Sequence, residues 1–363
     1  MRLEDLDTPA LLVDLDRLER NIVRMQEAIS AHGVALRPHT KTHKIPAIAR
    51  WQVAAGAQGI TVATVGEAEV MMAAGLADVF VAREIVGRHK LARLARLARQ
   101  GPLSVAVDSV VGAEMLNAAV GEAGVQLEVL LEIDVGSQRC GVPPAEVVPL
   151  AEAVVKMPHL RLKGVFTHEG RAYGQGDPAA IERYARHEGE GVVEARDRLA
   201  AAGIEIEVVS VGSTPTAVGA AAVPGVTESR PGNYVFMDLK QVDNGVCTLD
   251  DCALTVLATV FSKPAPNRLS LDAGSKALSA DTGAFGRPEE GFGLIKNTSY
   301  RLWKLNEEHG ILVAEEPVPF GIGDRVEIIP NHACLVPALH EVAYGVRNGQ
   351  VEVVWPIAGR GKF

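Results

Sequence analysis

Cysteine is scarce in this chain. Its four cysteines, Cys140, Cys247, Cys252 and Cys334, lie far apart and include no CxxC pair. Such spacing excludes a disulfide framework. Positive charge is not in excess either. The formal net charge is -9 at pH 7, which argues against nucleic acid as the main partner. No uncharged apolar run approaches the roughly 18 residues of a membrane-spanning helix. The acidic start, Met1-Arg2-Leu3-Glu4-Asp5, lacks the apolar region of a secretory signal. Together these absences predict a cytoplasmic protein with reduced thiols and with neither a nucleic-acid nor a membrane partner.

What the chain has instead is apolar material. Hydrophobic residues make up 47% of its 363 positions, enough for a large core. Up to about residue 240, short apolar or β-branched runs alternate with helix-favouring stretches. Strands are predicted at 34–38, 59–64, 78–82, 103–107, 127–134, 162–167, 204–211 and 226–237. Helical runs lie between most of them, such as 45–55, 65–74, 89–99, 145–155 and 181–202. Strands so apolar, separated by helices, predict parallel strands buried on both faces. Eight such units point to an α/β fold with a (β/α)8 TIM-like barrel; the alternative is an open sheet with a miscounted strand. After residue 250 the texture changes. Runs at 252–261, 268–272, 310–313, 325–329, 341–347 and 351–357 read as strands separated by turn residues. Arg347-Asn348-Gly349 has hairpin character. Helical signal nearly vanishes, so a mostly β domain follows the barrel. Residues 8–15 also read as a strand, before a helical stretch at 18–31, and are free to join the later domain. The expected division is a barrel over 18–245 and a β domain made of 1–17 plus 246–363.

Polar side chains gather at the C-terminal ends of the predicted barrel strands. The first ends in His39 and Lys41. The fifth runs into Asp134-Val135-Gly136-Ser137-Gln138-Arg139, and the sixth into Thr167-His168-Glu169. The seventh ends in Gly212-Ser213-Thr214, and the eighth carries Arg230-Pro231-Gly232-Asn233-Tyr234. That rim is where such barrels place their chemistry. A lysine at such a tip can bond an aldehyde cofactor, although a solvated basic loop has the same composition. Gly-Ser-Thr has the make-up of a phosphate cradle, and equally of a turn before a helix. In the β domain, Pro330-Asn331-His332-Ala333-Cys334 sets an imidazole and a thiol two residues apart, able to face one side. Such a pair suits zinc and, less well, manganese; packing residues produce the same pattern.

Six motifs carry a family resemblance: RPHTKTHK from Arg37, DVGSQRCGV from Asp134, FTHEG from Phe166, VGSTPT from Val211, RPGNYVFMD from Arg230 and PNHAC from Pro330. In this order, across nearly the whole chain, they resemble the D-threonine aldolase and D-serine dehydratase group of pyridoxal-phosphate enzymes. That group is built on the alanine-racemase-like scaffold, fold type III. The resemblance implies a (β/α)8 barrel plus a C-terminal β domain that N-terminal residues join. It implies that Lys41 holds the cofactor, Arg139 contacts its phenolic oxygen and His168 packs on its ring. Arg230 would face the ring nitrogen, where some lyases of the group carry other residues. Ser213, Thr214, Gly232 and Asn233 would bind the phosphate, with His39, Tyr173 and Tyr234 completing the cofactor-binding set. The implied catalytic residues are Lys41, His168, His332 and Cys334. His332 and Cys334 would hold a divalent metal: zinc or manganese, with magnesium as a third option.

The implied activity is a lyase on D-β-hydroxy amino acids, because freed Lys41 would act on the substrate face that matches the D configuration. D-threonine aldolase, yielding glycine and an aldehyde, is the first expectation. D-serine or D-threo-3-hydroxyaspartate dehydratase, yielding an oxo acid and ammonia, is the alternative. An amino-acid racemase or a non-catalytic pyridoxal-phosphate carrier stands behind both. Some aldolases of the group carry Asp where this chain has Cys334. A homodimer is also implied, with active sites that combine the barrel of one subunit and the β domain of the other.

Overall fold

Two sheets organise the computed structural model, which describes residues 1–174, 176–282 and 291–363. After strand β1 (Ala10–Asp14) come β2 (Ala35–Leu36), β3 (Ile60–Val62), β4 (Val79–Glu84), β5 (Leu103–Val107), β6 (Leu127–Glu132), β7 (Leu160–Phe166), β8 (Val208–Val211) and β9 (Glu228–Ser229). These eight later strands form one parallel sheet in the order β2-β9-β8-β7-β6-β5-β4-β3. Backbone bonds between the chain after β2 and strand β3 complete the circle. Thr61 N–H donates to Pro38 O at 2.8 Å, and Thr40 N–H donates to Thr61 O at 2.8 Å. The predicted barrel, rather than an open sheet, is what the chain forms.

Helices α1 (Leu15–Ser30), α2 (Pro46–Ala54), α3 (Val65–Ala73), α4 (Arg88–Ala98), α5 (Val110–Glu122), α6 (Val147–Val154) and α7 (Pro178–Ala201) connect these strands, followed by the short α8 (Ala217–Ala221) and α9 (Leu239–Asp243). Local chemistry sets their limits. The Asp14, Thr64 and Ser109 side chains cap α1, α3 and α5 by accepting N–H groups of their first turns. Leu15, Leu18, Ile22, Met25 and Ile29 bury one stripe of α1. Helix α5 has no counterpart among the helical runs named from the sequence. Its Val-, Ala- and Gly-rich run presents little contrast between an apolar and a polar face.

Strand alternation divides the barrel into two cores. Val79, Val81, Val105, Val107, Val129 and Leu131 pack outward into the main core shared with the helices. Phe80, Ala106, Leu130 and Phe166, one from each of four adjacent strands, form a separate cluster inside. Arg37 also sits inside, paired with Glu228 at 2.6 Å and Asp78 at 2.8 Å.

Among the barrel strands, two depart most from the sequence expectation. Of 226–237, only Glu228–Ser229 pairs as a strand. Pro231 has no N–H to donate, and the chain turns into a short 3-10 segment at Asn233–Val235. Of 204–211, only Val208–Val211 joins the sheet. The early end of β9 releases residues 230–234 at the rim, whereas 204–207 drop out at the far, N-terminal end of β8.

The second sheet is built from β10 (Leu254–Ala265), β11 (Arg268–Leu271), β12 (Leu294–Ile295), β13 (Lys304–Leu305), β14 (Gly310–Val313), β15 (Arg325–Ile329), β16 (Val342–Arg347) and β17 (Gln350–Pro356). Its order is β13-β14-β11-β10-β1-β16-β17, with β15 also pairing β10 and β12. Strand β1 lies in the middle, antiparallel to β10 and parallel to β16. The N-terminal strand is thus woven between strands from the other end of the chain. Asn348 and Gly349 turn β16 into β17 with positive φ at both, 50° and 73°. That is the geometry a two-residue hairpin asks of an Asn-Gly pair. Among the described residues, no helix is long and apolar enough to cross a membrane.

Candidate active site at the barrel rim

The C-terminal ends of the barrel strands open into a cavity of about 260 Å³, and it gathers six of the expected residues: His39, Lys41, Arg139, His168, Arg230 and Gly232. Backbone bonds run on past β2, from His39 N–H to Pro231 O at 2.9 Å and from Thr40 N–H to Thr61 O, before the chain turns into the following loop. Lys41 sits in that loop, its N–H donating to His39 Nδ1 at 3.4 Å. Burial lowers the Lys41 pKa below the usual lysine range. The nearby Cys334 opposes this shift, while Arg139 and Arg230 add to it. His39 is held well below its ordinary pKa by burial and by the Lys41 and Arg230 charges.

His168 follows β7. Its Nδ1 lies 2.8 Å from Gly212 O, and a carbonyl only accepts, so Nδ1 carries the proton and Nε2 is left free. Burial, with Lys41 and Arg139, holds this imidazole well below its ordinary pKa, so it is neutral near pH 7. Arg139 is half exposed and bonds Glu132 at the tip of β6 at 3.2 Å. Arg230 is buried. It donates to Ser210 Oγ, to Val211 O at 3.0 Å and to Thr167 O at 2.6 Å, and it lies over the Phe166 ring at 5.0 Å. Burial lowers its pKa to about 10, which still leaves it a cation near neutrality.

Ser213, Thr214 and Asn233 sit beside this cavity, buried on two loops that Glu188 and Thr214 tie down. Glu188, from the middle of α7, accepts Gly212 N–H at 2.9 Å and the Thr216 hydroxyl at 2.5 Å. Thr214 Oγ1 accepts Tyr234 N–H at 3.1 Å, linking the two loops. The Tyr173 hydroxyl bonds Thr214 as well, and its ring meets the His332 ring edge-on at 6.3 Å. Tyr234 reaches the cradle only through its backbone. Its ring is fully buried, and its hydroxyl accepts Gln52 Nε2 at 2.9 Å. Gly232 lies where its loop crosses the Lys41 loop. A Cβ there would stand 2.9 Å from His39 O and 3.1 Å from Thr42 Oγ1.

His332 and Cys334 follow β15, in the loop that the β domain lays over the barrel rim. The Cys334 sulfur is 3.0 Å from Thr42 Oγ1 and 3.7 Å from Asn233 Nδ2. Burial alone would raise the thiol pKa, but His332 and Lys41 hold it below the usual range. Burial would likewise depress His332, yet Cys334 and Asp238 raise it well above the ordinary histidine value. The two side chains and Lys41 thus lie close enough to shift one another's pKa.

Several residues of this region were not singled out by sequence. Asp238 closes the RPGNYVFMD motif, and its only sequence signal is that place. Glu132 stands at a strand tip, seven positions before Arg139. Glu84, Glu132 and Cys140 bring their ligand atoms within 4.8 Å of one another. Burial and the neighbouring Glu132 push the Glu84 carboxyl up to about 8, so it holds a proton near pH 7. Glu188 gave no signal, because an acid within α7 reads as part of a solvated face.

The residues fit the groups expected of them. Asn233 Oδ1 and Arg230 Nε are buried without a partner among the described residues. Both lie in the region where the resemblance places phosphate and pyridine ring, and buried polar atoms of this kind call for a partner. The imidazole–thiolate pair is a recognised donor set for a divalent metal.

Comparison with known proteins agrees with this geometry. Residues 13–240 match the family profile "Alanine racemase, N-terminal domain", and residues 253–346 match the "Putative serine dehydratase domain". The chain is 43% identical to D-threo-3-hydroxyaspartate dehydratase of Delftia sp. (strain HT23), over 92% of each protein. The crystal structure of D-threonine aldolase from Filomicrobium marinum superposes with a TM-score of 0.93 at 34% identity, covering 100% of this chain and 97% of that one. A cysteine-to-alanine mutant of D-threo-3-hydroxyaspartate dehydratase, in its metal-free form, superposes with a TM-score of 0.92 at 39% identity, covering 98% of both. The chain therefore belongs to the alanine-racemase-like, fold type III family of pyridoxal-phosphate enzymes, in the branch that joins the racemase N-terminal domain to a serine dehydratase domain.

Proposed function

We propose that this chain is a pyridoxal-phosphate and divalent-metal dependent lyase acting on D-β-hydroxy amino acids. The observation that carries the reading is the meeting of Lys41, from the barrel, with the His332–Cys334 pair from the β domain. Lys41, Arg139, His168, Arg230, Ser213, Thr214, Gly232 and Asn233 are the residues that would hold the cofactor. His332 and Cys334 would hold the metal, with zinc ahead of manganese or magnesium because a thiolate is a soft ligand. Bound there, pyridoxal phosphate supplies an electron sink for a bond broken at Cα, and the metal supplies a Lewis acid for the β-hydroxyl.

The remaining roles fall to the side chains. The lowered pKa of Lys41 leaves more of its amine neutral near pH 7 than an exposed lysine has, ready to bond the cofactor or to take a proton from Cα. His168 spends its one N–H on Gly212 and offers an uncharged ring to the cofactor face. Arg139, tethered by Glu132, would present a cation to the cofactor's phenolic oxygen. Arg230, fixed by three acceptors, places a cation where it disfavours a second positive charge on the ring nitrogen. In this reading residues 18–245 form the cofactor-binding body, and residues 1–17 with 246–363 form the body that brings the metal pair.

Elimination of water needs a base for the Cα proton, and Lys41 is that base. We place it first because residues 253–346 match a serine dehydratase domain and the 43% identity is to a dehydratase. Aldol cleavage, the first expectation from the sequence, is the second reading. It takes the β-hydroxyl proton instead, and the likeness to a D-threonine aldolase spans the whole chain. The homodimer and the cytoplasmic setting expected from the sequence belong to the same proposal.

Product analysis tests it. The enzyme loaded with pyridoxal phosphate and zinc is given D-threonine, D-serine and D-threo-3-hydroxyaspartate. An oxo acid with ammonia marks elimination, and glycine with an aldehyde marks cleavage. Turnover should stop on chelation and in Cys334→Ala. No product from any of the three substrates, with zinc or manganese supplied, would sink the reading.

A further inference from the structure

One carboxylate stands between the metal pair and the phosphate cradle. Asp238 is fully buried, at 0% exposure. Its Oδ2 accepts three donors: His332 Nδ1–H at 3.0 Å, Ala333 N–H at 2.8 Å and Asn233 Nδ2–H at 2.5 Å. Its Oδ1 accepts Gln241 N–H at 3.0 Å and so caps α9. The backbone repeats the link. Leu239 N–H and Lys240 N–H donate to Pro330 O and Asn331 O, at 3.3 and 3.1 Å, docking α9 on the His332 loop. A carboxylate only accepts, so it fixes the proton of His332 on Nδ1 and leaves Nε2 as the free ligand atom. The same oxygen holds the amide of Asn233, whose own Oδ1 has no partner among the described residues.

We infer that Asp238 is a positioning residue that couples the two sites: it orients His332 for the metal and Asn233 for the cofactor phosphate, so that filling one site tightens the other. The inference rests on the proposed metal pair and goes beyond it by joining two ligands through one buried group. A phosphate seated at Asn233 steadies the carboxylate that aims His332, and a metal on His332 steadies the carboxylate that holds Asn233. Linkage then demands that each ligand change the other's affinity by the same factor.

Cobalt(II) is the probe, because thiolate-to-cobalt absorption reports Cys334 in the ligand set without any turnover. Its dissociation constant is measured on the enzyme with pyridoxal phosphate bound and after the cofactor is removed. Pyridoxal phosphate is then titrated with and without cobalt. In the natural chain each ligand should tighten the other by about fivefold or more, a typical lower bound for coupled sites. Asp238→Asn should weaken cobalt by roughly 10- to 100-fold, the usual cost of losing a ligand's hydrogen-bond partner, and bring the coupling factor close to one. Asp238→Ser keeps a hydroxyl to cap α9 but cannot hold His332, and it should behave alike, which separates the coupling from helix stability. Equal cobalt affinity with and without cofactor in the natural chain overturns the inference. So does a coupling factor that survives both Asp238 variants while Cys334→Ala abolishes cobalt binding. Cobalt binding that survives Cys334→Ala would instead remove the metal pair itself, and this inference with it.

Discussion

Lys41 and His43 stand two positions apart on one loop and face opposite worlds. Lys41 opens to the cavity, where burial and two arginines depress its pKa. If it is the cofactor lysine, borohydride reduction of the loaded enzyme should fix pyridoxal to it, and Lys41→Ala should abolish the adduct. Peptide mapping that finds the label on Lys44 or Lys276 would contradict the assignment. His43 instead points into the core. Its Nδ1 accepts Ile45 N–H at 3.0 Å and its Nε2 meets Gln52 Oε1 at 3.2 Å. Burial lowers its pKa to about 3 in the folded chain, from 6.5. Between those values the unfolded chain binds a proton that the folded chain refuses. Stability therefore rises with pH through this window and is lost as pH falls from about 6.5 towards 3, by about 1.4 kcal/mol per pH unit. His43→Gln should flatten the pH dependence of urea-unfolding free energy between pH 6 and pH 4.5 by about that slope. An unchanged slope would mean that His43 takes its proton without leaving the fold. Sequence placed both residues at a strand tip, but it could not tell the cavity-facing group from the core-facing one, because desolvation depends on what packs around each.

At the level of elements, the site is made where strands stop. Strands β2 and β9 stop at Leu36 and Ser229, and the segments that follow cross at Gly232. A methyl group there has to displace His39 O or Thr42 Oγ1, so Gly232→Ala should cost about 1–3 kcal/mol of the cradle's integrity, as overpacking does. The expected outcome is a pyridoxal-phosphate dissociation constant raised at least tenfold, read from the cofactor's absorbance. A variant that binds the cofactor as tightly as the natural chain would show that the crossing gives way freely. The barrel strands were legible because short apolar, β-branched runs and the helix-favouring stretches between them are local signals. The length of β9 was not, since a Pro-Gly step inside an apolar stretch marks an end without saying where pairing begins. Glu188 was hidden for a related reason: nothing local distinguishes an acid that ties down the loop at 212–216 from one facing water.

At the scale of the molecule, the apolar surface beside His332 and Cys334 bears on the subunit arrangement. Leu335 and Leu339 flank the His332–Cys334 loop with 47% and 40% of their surface exposed, while Val336 between them is buried. Exposed leucines next to a catalytic rim suit a partner subunit that completes the site. Sedimentation at micromolar concentration should show a species of twice the chain mass, and Leu335→Glu should shift it towards the monomer with loss of turnover. A monomer with full activity would remove the shared-site arrangement.

The spacing of apolar runs pointed, without any structure, to parallel strands alternating with helices and then a β domain, and left closure of the barrel open. The Asn348-Gly349 step likewise determined its hairpin. These follow from short-range rules: strand and helix periods, turn chemistry and the lack of an N–H in proline. Tertiary structure alone decided that Thr42 and Cys334, 292 residues apart, touch at 3.0 Å. It also decided that Tyr234 turns its ring into the core, and that one oxygen of Asp238 serves both His332 and Asn233. The physical reason is long-range packing: the loop after β15 returns to the barrel rim and meets residues far away in sequence. Contacts made by that return, and the desolvation that sets each pKa there, are properties of packing and leave no mark on the local sequence.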